Sequence, residues 1–273
     1  MPEYILEYFQ KHQLIIEENL LMCRDPEDVE AIHNFRLSVK RLRVLARLSD
    51  LISGDVFDAK GSLREINKLF KRSGRLRDLQ VTGQLMIDQQ YEDLDPVIKL
   101  FDRRIAGQRV KFEKALDIFG KESLDEFGHK LKELLQNVTE KQAVACGHIL
   151  LATLESDIHI LFHGSTKEKR LHNIRTKLKD VIYLNNIFDG RLPVQDYIHI
   201  SIERLRELGE LAGAWHDSLN LEVDLGKYLR KHPDTGNINS LQEFMQELKV
   251  KKQGLSQEYV CILMNEMKVG DGR

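Results

Sequence analysis

The sequence predicts an all-α protein. Only five prolines occur in 273 residues, and the long stretches between them are rich in Leu, Glu, Lys, Arg and Gln. Apolar residues in those stretches recur at helical spacing, while strand-like alternation is nearly absent. Hydrophobic residues make up 42% and charged residues 31%, the balance of a globular chain with a real core rather than a disordered one.

The periodicity predicts helices over 3–23, 26–52, 57–90, 95–119, 138–163, 166–188, 194–230 and 239–267, with a short extra helix over 122–136. Asp25-Pro26-Glu27-Asp28 offers the second helix an N-cap, a proline in first position and an acidic first turn. Breaks are expected at Ser53-Gly54-Asp55, Asp93-Leu94-Asp95-Pro96, Phe162-His163-Gly164-Ser165-Thr166, Asp189-Gly190 and His232-Pro233-Asp234-Thr235-Gly236. Gly120 and Gly190 read as helix terminators, and the tail from Gly270 to Arg273 is expected to be loose.

The apolar runs are shorter than the roughly 20 residues of a membrane span, and Met1-Pro2-Glu3-Tyr4 does not read as the start of a signal peptide. The expectation is a cytoplasmic protein with no membrane partner. Cys23, Cys146 and Cys261 lie far apart without a CxxC, which suits buried free thiols in a reducing compartment. Lys and Arg number 41 against 43 Asp and Glu, a net charge of −2. Net charge therefore selects no polyanion, and any such preference must lie in where the charges sit.

An internal repeat organises the chain. His33-Asn34-Phe35-Arg36 recurs as His172-Asn173-Ile174-Arg175, 139 residues later, and Lys40 falls on Lys179 at the same offset. Gly74-Arg75-Leu76-Arg77-Asp78 falls on Gly213-Ala214-Trp215-His216-Asp217, again at 139. Two matched clusters at one ungapped offset indicate a duplicated four-helix unit, residues 1–134 and 135–273, packed about a pseudo-twofold axis as one domain.

The histidine helix of the first unit carries an unusual stripe. With His33 at zero, Arg36, Lys40, Arg43 and Arg47 fall at about −60°, −20°, −80° and −40° on the helix. No acidic residue occurs from Ala31 to Ser49, and apolar residues flank the stripe on both sides. Such a stripe faces a crevice with packed walls rather than open solvent. Unpaired cations lining a groove repel one another, a cost typical of anion sites, and Arg and Lys are the residues that hold phosphate. In the second unit His172, Arg175 and Lys179 keep the stripe, while Ile182 and Asn186 replace Arg43 and Arg47.

These residues resemble those of the conserved histidine α-helical domain (CHAD) family. The resemblance rests on His33-Asn34-Phe35-Arg36 with Lys40-Arg41-Leu42-Arg43, on Gly74-Arg75-Leu76-Arg77-Asp78-Leu79, on His172-Asn173-Ile174-Arg175 with Lys179, and on Gly209-Glu210-Leu211 leading to Asp217. It covers nearly the whole chain in the family's order. It implies two pseudosymmetric four-helix bundles about a basic central cavity, with inorganic polyphosphate as ligand. No ExExK motif of a fused triphosphate-processing domain occurs, so the chain resembles a stand-alone member. The family's basic positions carry over to Arg36, Lys40, Arg43, Arg77, Arg175 and Lys179, and its histidines to His33 and His172. Arg47 and Arg75 join them as members of basic stripes on their own helices. Asp78 and Asp217 are candidates to orient the histidines or brace the arginines, with a plain structural ion pair as the alternative. The departures are Ile182 in place of Arg43 and His216 in place of Arg77.

The expected function is polyphosphate binding by a module that is not an enzyme and needs no cofactor or metal, with attachment to polyphosphate granules as one outcome. RNA is the alternative partner, since basic helices also suit phosphodiesters, although the stripe lacks interleaved aromatics for stacking bases. A metal-dependent phosphohydrolase or phosphotransferase using a histidine is the third reading, and the stripe lacks the carboxylate cluster that would hold Mg²⁺. His159 and His163, four apart beside Asp157, have metal-ligand spacing but read as ordinary surface or core histidines. Trp215 reads as core. Arg103, Arg104, Arg109 and Lys111 form a further basic patch whose plain reading is a solvated face. The halves are expected to bind unequally. Arg64, Lys68, Lys71 and Arg75 share one face, and 139 residues on they become Glu203, Glu207, Glu210 and Ala214, so the first half should extend the basic track.

Overall fold

The computed structural model describes residues 1–25, 28–88, 94–120, 122–162, 167–232 and 238–268, and every element among them is an α-helix. In chain order they are α1 (Glu3–Met22), α2 (Val29–Ser53), α3 (Ala59–Ser62), α4 (Arg64–Ile87), α5 (Asp95–Ile118), α6 (Glu122–Gln136), α7 (Glu140–Phe162), α8 (Glu168–Ile187), α9 (Val194–Ile198), α10 (Ile202–Lys231) and α11 (Ile238–Lys268). The order long, long, short, long, long occurs twice, with α6 inserted between.

Local chemistry sets the helix ends. Asp28, not Asp25, is the N-cap of α2, accepting the Ala31 N–H at 2.8 Å; Pro26 and Glu27 lie outside the described residues. Gly54 closes α2 in the left-handed conformation, φ 64°. Thr139 and Gln142 form a reciprocal capping box ahead of α7, with side-chain bonds of 2.9 and 3.3 Å to each other's backbone N–H.

Two expected helices are each divided. The 57–90 stretch starts with the short α3, capped by Asp58, whose side chain accepts the Gly61 N–H, and breaks at Leu63, φ −104° and ψ 13°, before α4. The 194–230 stretch breaks at His199, φ 58°, and restarts where Ser201 caps α10 by accepting the Arg204 N–H at 3.1 Å. The expected breaks at Asp93, 163–166 and 233–236 and the tail 270–273 lie outside the described residues.

Helices pair as α1 with α2, α4 with α5, α7 with α8 and α10 with α11; the pairs then join through α2 on α7 and α8, α8 on α10, and α4 on α10. The larger apolar cluster runs from Ile5, Phe9 and Phe35 to Leu151, Leu184 and the fully buried Trp215. A smaller one joins Met86 and Phe101 to Leu225 and Phe244. Both clusters draw on both halves, so each ties the two halves together. α6 adds Leu124, Phe127, Leu131 and Leu135 from a single face, and Phe127 stacks on Phe9 at 5.1 Å.

Of the cysteines, only Cys23 is buried; Cys146 on α7 is half-buried at the edge of the larger apolar cluster, and Cys261 on α11 is exposed. Among the described helices α7 is long and apolar enough to cross a membrane by length and composition. Here Leu150, Leu151, Leu154 and Ile158 bury one face of it against the core.

Candidate functional site

α2 buries Ile32, Phe35, Val39 and Leu42 completely, and this orients its basic stripe. Lys40, Arg43 and Arg47 face a cavity of about 540 Å³ closed by α3, α4 and α8, where they meet Lys71, Arg175 and Lys179. Two of these cations are held in place. Arg43 Nε donates to Asn67 Oδ1 at 2.7 Å, and its guanidinium lies 3.9 Å from the centre of the Phe70 ring. Arg47 pairs with Asp180 at 2.8 Å. The other carboxylate in the wall, Asp50, accepts the Ala59 N–H at 2.9 Å and so anchors α3.

Arg36 is a clamp behind this cavity. Its Nη1 donates to the Phe70 carbonyl at 2.7 Å and to Ser73 Oγ at 3.0 Å, and its guanidinium lies 4.1 Å from the same Phe70 ring. Gly74 leaves the space, since a Cβ there would sit 3.4 Å from Arg36 Nη1. The other half repeats the arrangement: a Cβ on Gly213 would lie 3.6 Å from Arg175 Nη2, and one on Gly209 3.6 Å from Lys179 Cε.

Lys40, Arg175 and Lys179 make no hydrogen bond or ion pair among the described residues, and Arg175 Nε is buried without a partner. Burial, followed by the charges of Arg36, Lys179 and Arg175, pushes Lys40 down to about 7. Burial, then Arg175, pushes Lys179 down to about 8, against the opposing pull of Asp217 and Glu210.

A second cavity, about 700 Å³, lies on the other side of the α2–α8 pair. Arg175, Lys179 and Tyr183 line both cavities, and His33, Arg41, Arg206 and Lys251 join them in the second, with Glu210 and Asp217 as its acids. Its lining corresponds to that of the first at the 139-residue offset: Arg206 stands for Asn67, Glu210 for Lys71, Ile182 for Arg43 and Arg41 for Asp180. Arg41 Nε is buried without a partner, as are Tyr8 Oη and His12 Nδ1 behind it. Burial, then Arg41, holds His12 at about 4, so Arg41 rests against a neutral wall.

The two family histidines occupy different settings. His172 stacks on His216 at 4.6 Å, and burial, then His216 and Arg175, lowers it to about 4. It is a neutral imidazole at pH 7. His33 stays exposed at the rim of the second cavity, where partial loss of water and then Arg77 lower its pKa.

Arg77 itself lines neither cavity. It donates to the Val29 carbonyl at 3.3 Å and approaches Glu30 at 3.6 Å, which ties α4 to the start of α2. Arg75 is also committed elsewhere: its Nη2 meets both oxygens of the buried Asp224 at 2.7 and 2.8 Å, with Arg104 on the same carboxylate at 3.4 Å. Asp78 and Asp217 act on each other where α4 crosses α10. Burial raises Asp78, with Arg36 and His216 opposing, and Asp217 lies 3.6 Å from His216 Nδ1. The aspartates thus work across the two halves, beside the arginine and the histidine pair.

The structure therefore gathers Lys40, Arg43, Arg47, Arg175 and Lys179, keeps Arg36 and His172 as neighbours, and places Arg75 and Arg77 in structural ties. Asp180, Arg41, Tyr183 and Phe70 are site residues the sequence reading did not single out. One available signal was that Arg41 and Asp180 sit at the same offset as the two stripes. The 103–111 patch divides: Arg103 and Lys111 are exposed, while Arg104 pairs with Asp224 and the buried Arg109 donates to the Cys23 and Asp25 carbonyls at the end of α1. His159 approaches Glu155 at 3.9 Å, His163 lies outside the described residues, and no metal-holding group of three ligands occurs among those described. Of the 64–75 stripe, Lys71 reaches the first cavity while Arg64 and Lys68 pair with Glu65 at the surface.

The chain is similar in fold to the CHAD domain from the plant Ricinus communis, whose crystal structure matches with a TM-score of 0.76 over 98% of this chain and 91% of that one, at 16% identity. No curated protein matches the sequence significantly. The sequence profile of the CHAD domain matches residues 7–222, most of the length that carries both cavities, and the chain belongs to the CHAD domain family.

Proposed function

We propose that this protein binds inorganic polyphosphate along the two cavities that flank α2 and α8, as a binding module rather than an enzyme. The observation that supports this best is the trio Lys40, Arg175 and Lys179, cations without a partner on facing helices. Leaving charges partly buried and unpaired destabilises the empty protein. An anion with closely spaced charges relieves that cost at several points at once. The cavities meet at Arg175, Lys179 and Tyr183, so a thin linear chain of phosphates can touch both. Arg presents paired N–H donors to each phosphate and Lys a point charge.

The test is calorimetric titration with polyphosphate, repeated over a salt series. Tight binding with a steep salt dependence is expected, and Lys40→Glu with Lys179→Glu should lower affinity by about 100-fold or more, since each lost charge-assisted bond is worth roughly 1.5–3 kcal/mol. Helical circular dichroism verifies that the variant is folded. Tighter binding of a single-stranded RNA in competition would favour the nucleic-acid reading. Phosphate release on adding Mg²⁺ or Mn²⁺ would reveal an enzyme.

A further inference from the structure

The first cavity contains an amine that no group among the described residues pairs with. Lys40 Nζ has no hydrogen bond and no ion pair among the described residues. The carboxylates of that cavity are already engaged, Asp180 by Arg47 and Asp50 by the Ala59 N–H. Arg36 and Arg43 from α2 and Arg175 and Lys179 from α8 act on Lys40, all of them positive, and Lys71 of α4 lines the same cavity. His33 and His172, the nearby titratable groups, are both driven toward the neutral form and feel the Lys40 charge themselves. Burial and these cations bring Lys40 to about 7, so near neutral pH much of the protein carries a free lone pair on Nζ.

A neutral amine in a site built for phosphate is a nucleophile beside whatever the phosphate carries. We propose that Lys40 is a covalent acylation site for acyl phosphates, the neighbouring cations holding the phosphate while Nζ attacks the acyl carbon. The nitrogen lone pair forms the C–N bond. The bond from the acyl carbon to the bridging oxygen breaks, inorganic phosphate leaves with that electron pair, and the amine proton passes to solvent. The products are an amide on Lys40 and free phosphate. Burial, the largest cause of the lowered value, and the four cations all persist when an acyl phosphate binds, so a share of the bound protein keeps the free amine. Acylation would delete a charge in the middle of the stripe and weaken polyanion binding, and this phosphate-guided step rests on the function proposed above.

The experiment incubates the full chain near pH 7.5 with acetyl phosphate and, separately, with a neutral succinimidyl ester of acetate. Peptide mass spectrometry then compares Lys40 with Lys132 and Lys249, which are exposed. Lys40 should acetylate at least about tenfold faster than either with acetyl phosphate, a conservative margin for a shift of about three pKa units. Added inorganic phosphate should suppress that advantage. With the neutral ester the Lys40 rate should level off above about pH 8 while the exposed lysines keep accelerating to about pH 10. Equal acetyl phosphate rates at all three lysines would overturn the proposal. So would a fast ester reaction without an acetyl phosphate advantage, because it shows a reactive amine that no bound phosphate guides. Fast acetyl phosphate labelling together with no binding in the polyphosphate titration would support the acylation site and refute the polyphosphate reading.

Discussion

The cavity walled by α3 and α4 and the one walled by α10 and α11 use corresponding positions for different purposes. In the first, Arg43 is fixed by Asn67 and the Phe70 ring, Arg47 is balanced by Asp180, and Lys71 points in. In the second, Ile182, Arg41 and Glu210 take the places of Arg43, Asp180 and Lys71, and Gly209 takes the place of Phe70. The first cavity carries cations whose side chains are already ordered. The second carries Arg41, held only at 5.8 Å from the Tyr183 ring and with no partner for its Nε, and two carboxylates, Glu210 and Asp217, that repel phosphate. Ordering side chains costs free energy when it happens on binding, so the cavity that is ordered in advance should bind more tightly at equal charge.

The largest effect that this difference predicts comes from paired charge reversals, one pair in each cavity. Arg43→Glu with Lys71→Glu should lower polyphosphate affinity by roughly 30- to 100-fold, since it reverses two charges in the ordered cavity. Arg41→Glu with Arg206→Glu should cost only about three- to tenfold, because Glu210 and Asp217 in the same cavity already weaken its hold on phosphate. Parallel titrations of the two double mutants measure this directly, and equal losses would erase the proposed asymmetry.

A pH effect comes next and belongs to the residues around the shared wall. Lys40 and Lys179 are held at about 7 and about 8 in the empty protein, against roughly 10.4 for a free lysine. Between these values the unfolded chain binds more protons than the folded one. Stability of the empty protein should therefore rise as pH goes from about 7 to 10, and fall as pH drops toward 7 and the two ammonium groups must charge inside the fold. A bound polyanion favours the charged forms, so binding takes up protons and affinity should fall as pH rises from about 7 to 9. Calorimetry near pH 8 in two buffers of different ionisation heat should report uptake of about one proton per site. No uptake would mean that both lysines are already charged when empty.

How far the sequence reveals such a site depends on whether the partner of a side chain is local. The stripe from His33 to Arg47 was legible because helix periodicity places side chains on a face, and the matching cluster at His172 named the facing helix. What lies opposite each side chain was not legible. Arg75 shares a face with Lys71, yet its partner Asp224 is 149 residues away, and that contact takes it out of the site. Arg47 looked unpaired because no acid occurs from Ala31 to Ser49, while Asp180 approaches it from α8. The helix count failed where α3 gives way to α4 at Leu63 and where His199 takes a left-handed backbone angle, since neither residue is the glycine or proline that signals such a break. The repeat predicted which elements correspond, but not that both apolar clusters would draw on both halves.

A change of intermediate size sharpens the comparison from the weak side. Glu210 lines the second cavity where Lys71 lines the first, and it acts on Lys179, which serves both. Glu210→Lys should strengthen polyphosphate binding about three- to tenfold and steepen the logarithmic salt dependence by roughly one unit, because one further counterion is released. A gain in affinity without a steeper slope would indicate better packing rather than a new phosphate contact.

The smallest expected effect isolates the role of the Phe70 ring beside the first cavity. Phe70 orders Arg36 and Arg43 from one position, at 4.1 and 3.9 Å, and its counterpart Gly209 orders nothing. Phe70→Leu keeps an apolar side chain beside the core but removes the ring, and each lost cation–π contact is worth roughly 0.5–1 kcal/mol. Affinity should fall about two- to fivefold through faster dissociation, with the salt slope unchanged because every charge remains. At Gly209 an added Cβ would meet Lys179 Cε at 3.6 Å, an ordinary contact, and the helix gains from the exchange. Gly209→Ala should therefore raise stability by roughly 0.5–1 kcal/mol and change affinity less than twofold. If Gly209→Ala weakened binding as much as Phe70→Leu, the room above that glycine would be part of how Lys179 reaches the ligand, and the two halves would be tuned by opposite means at one position: a ring that fixes arginines in the first, and open space that lets a lysine move in the second.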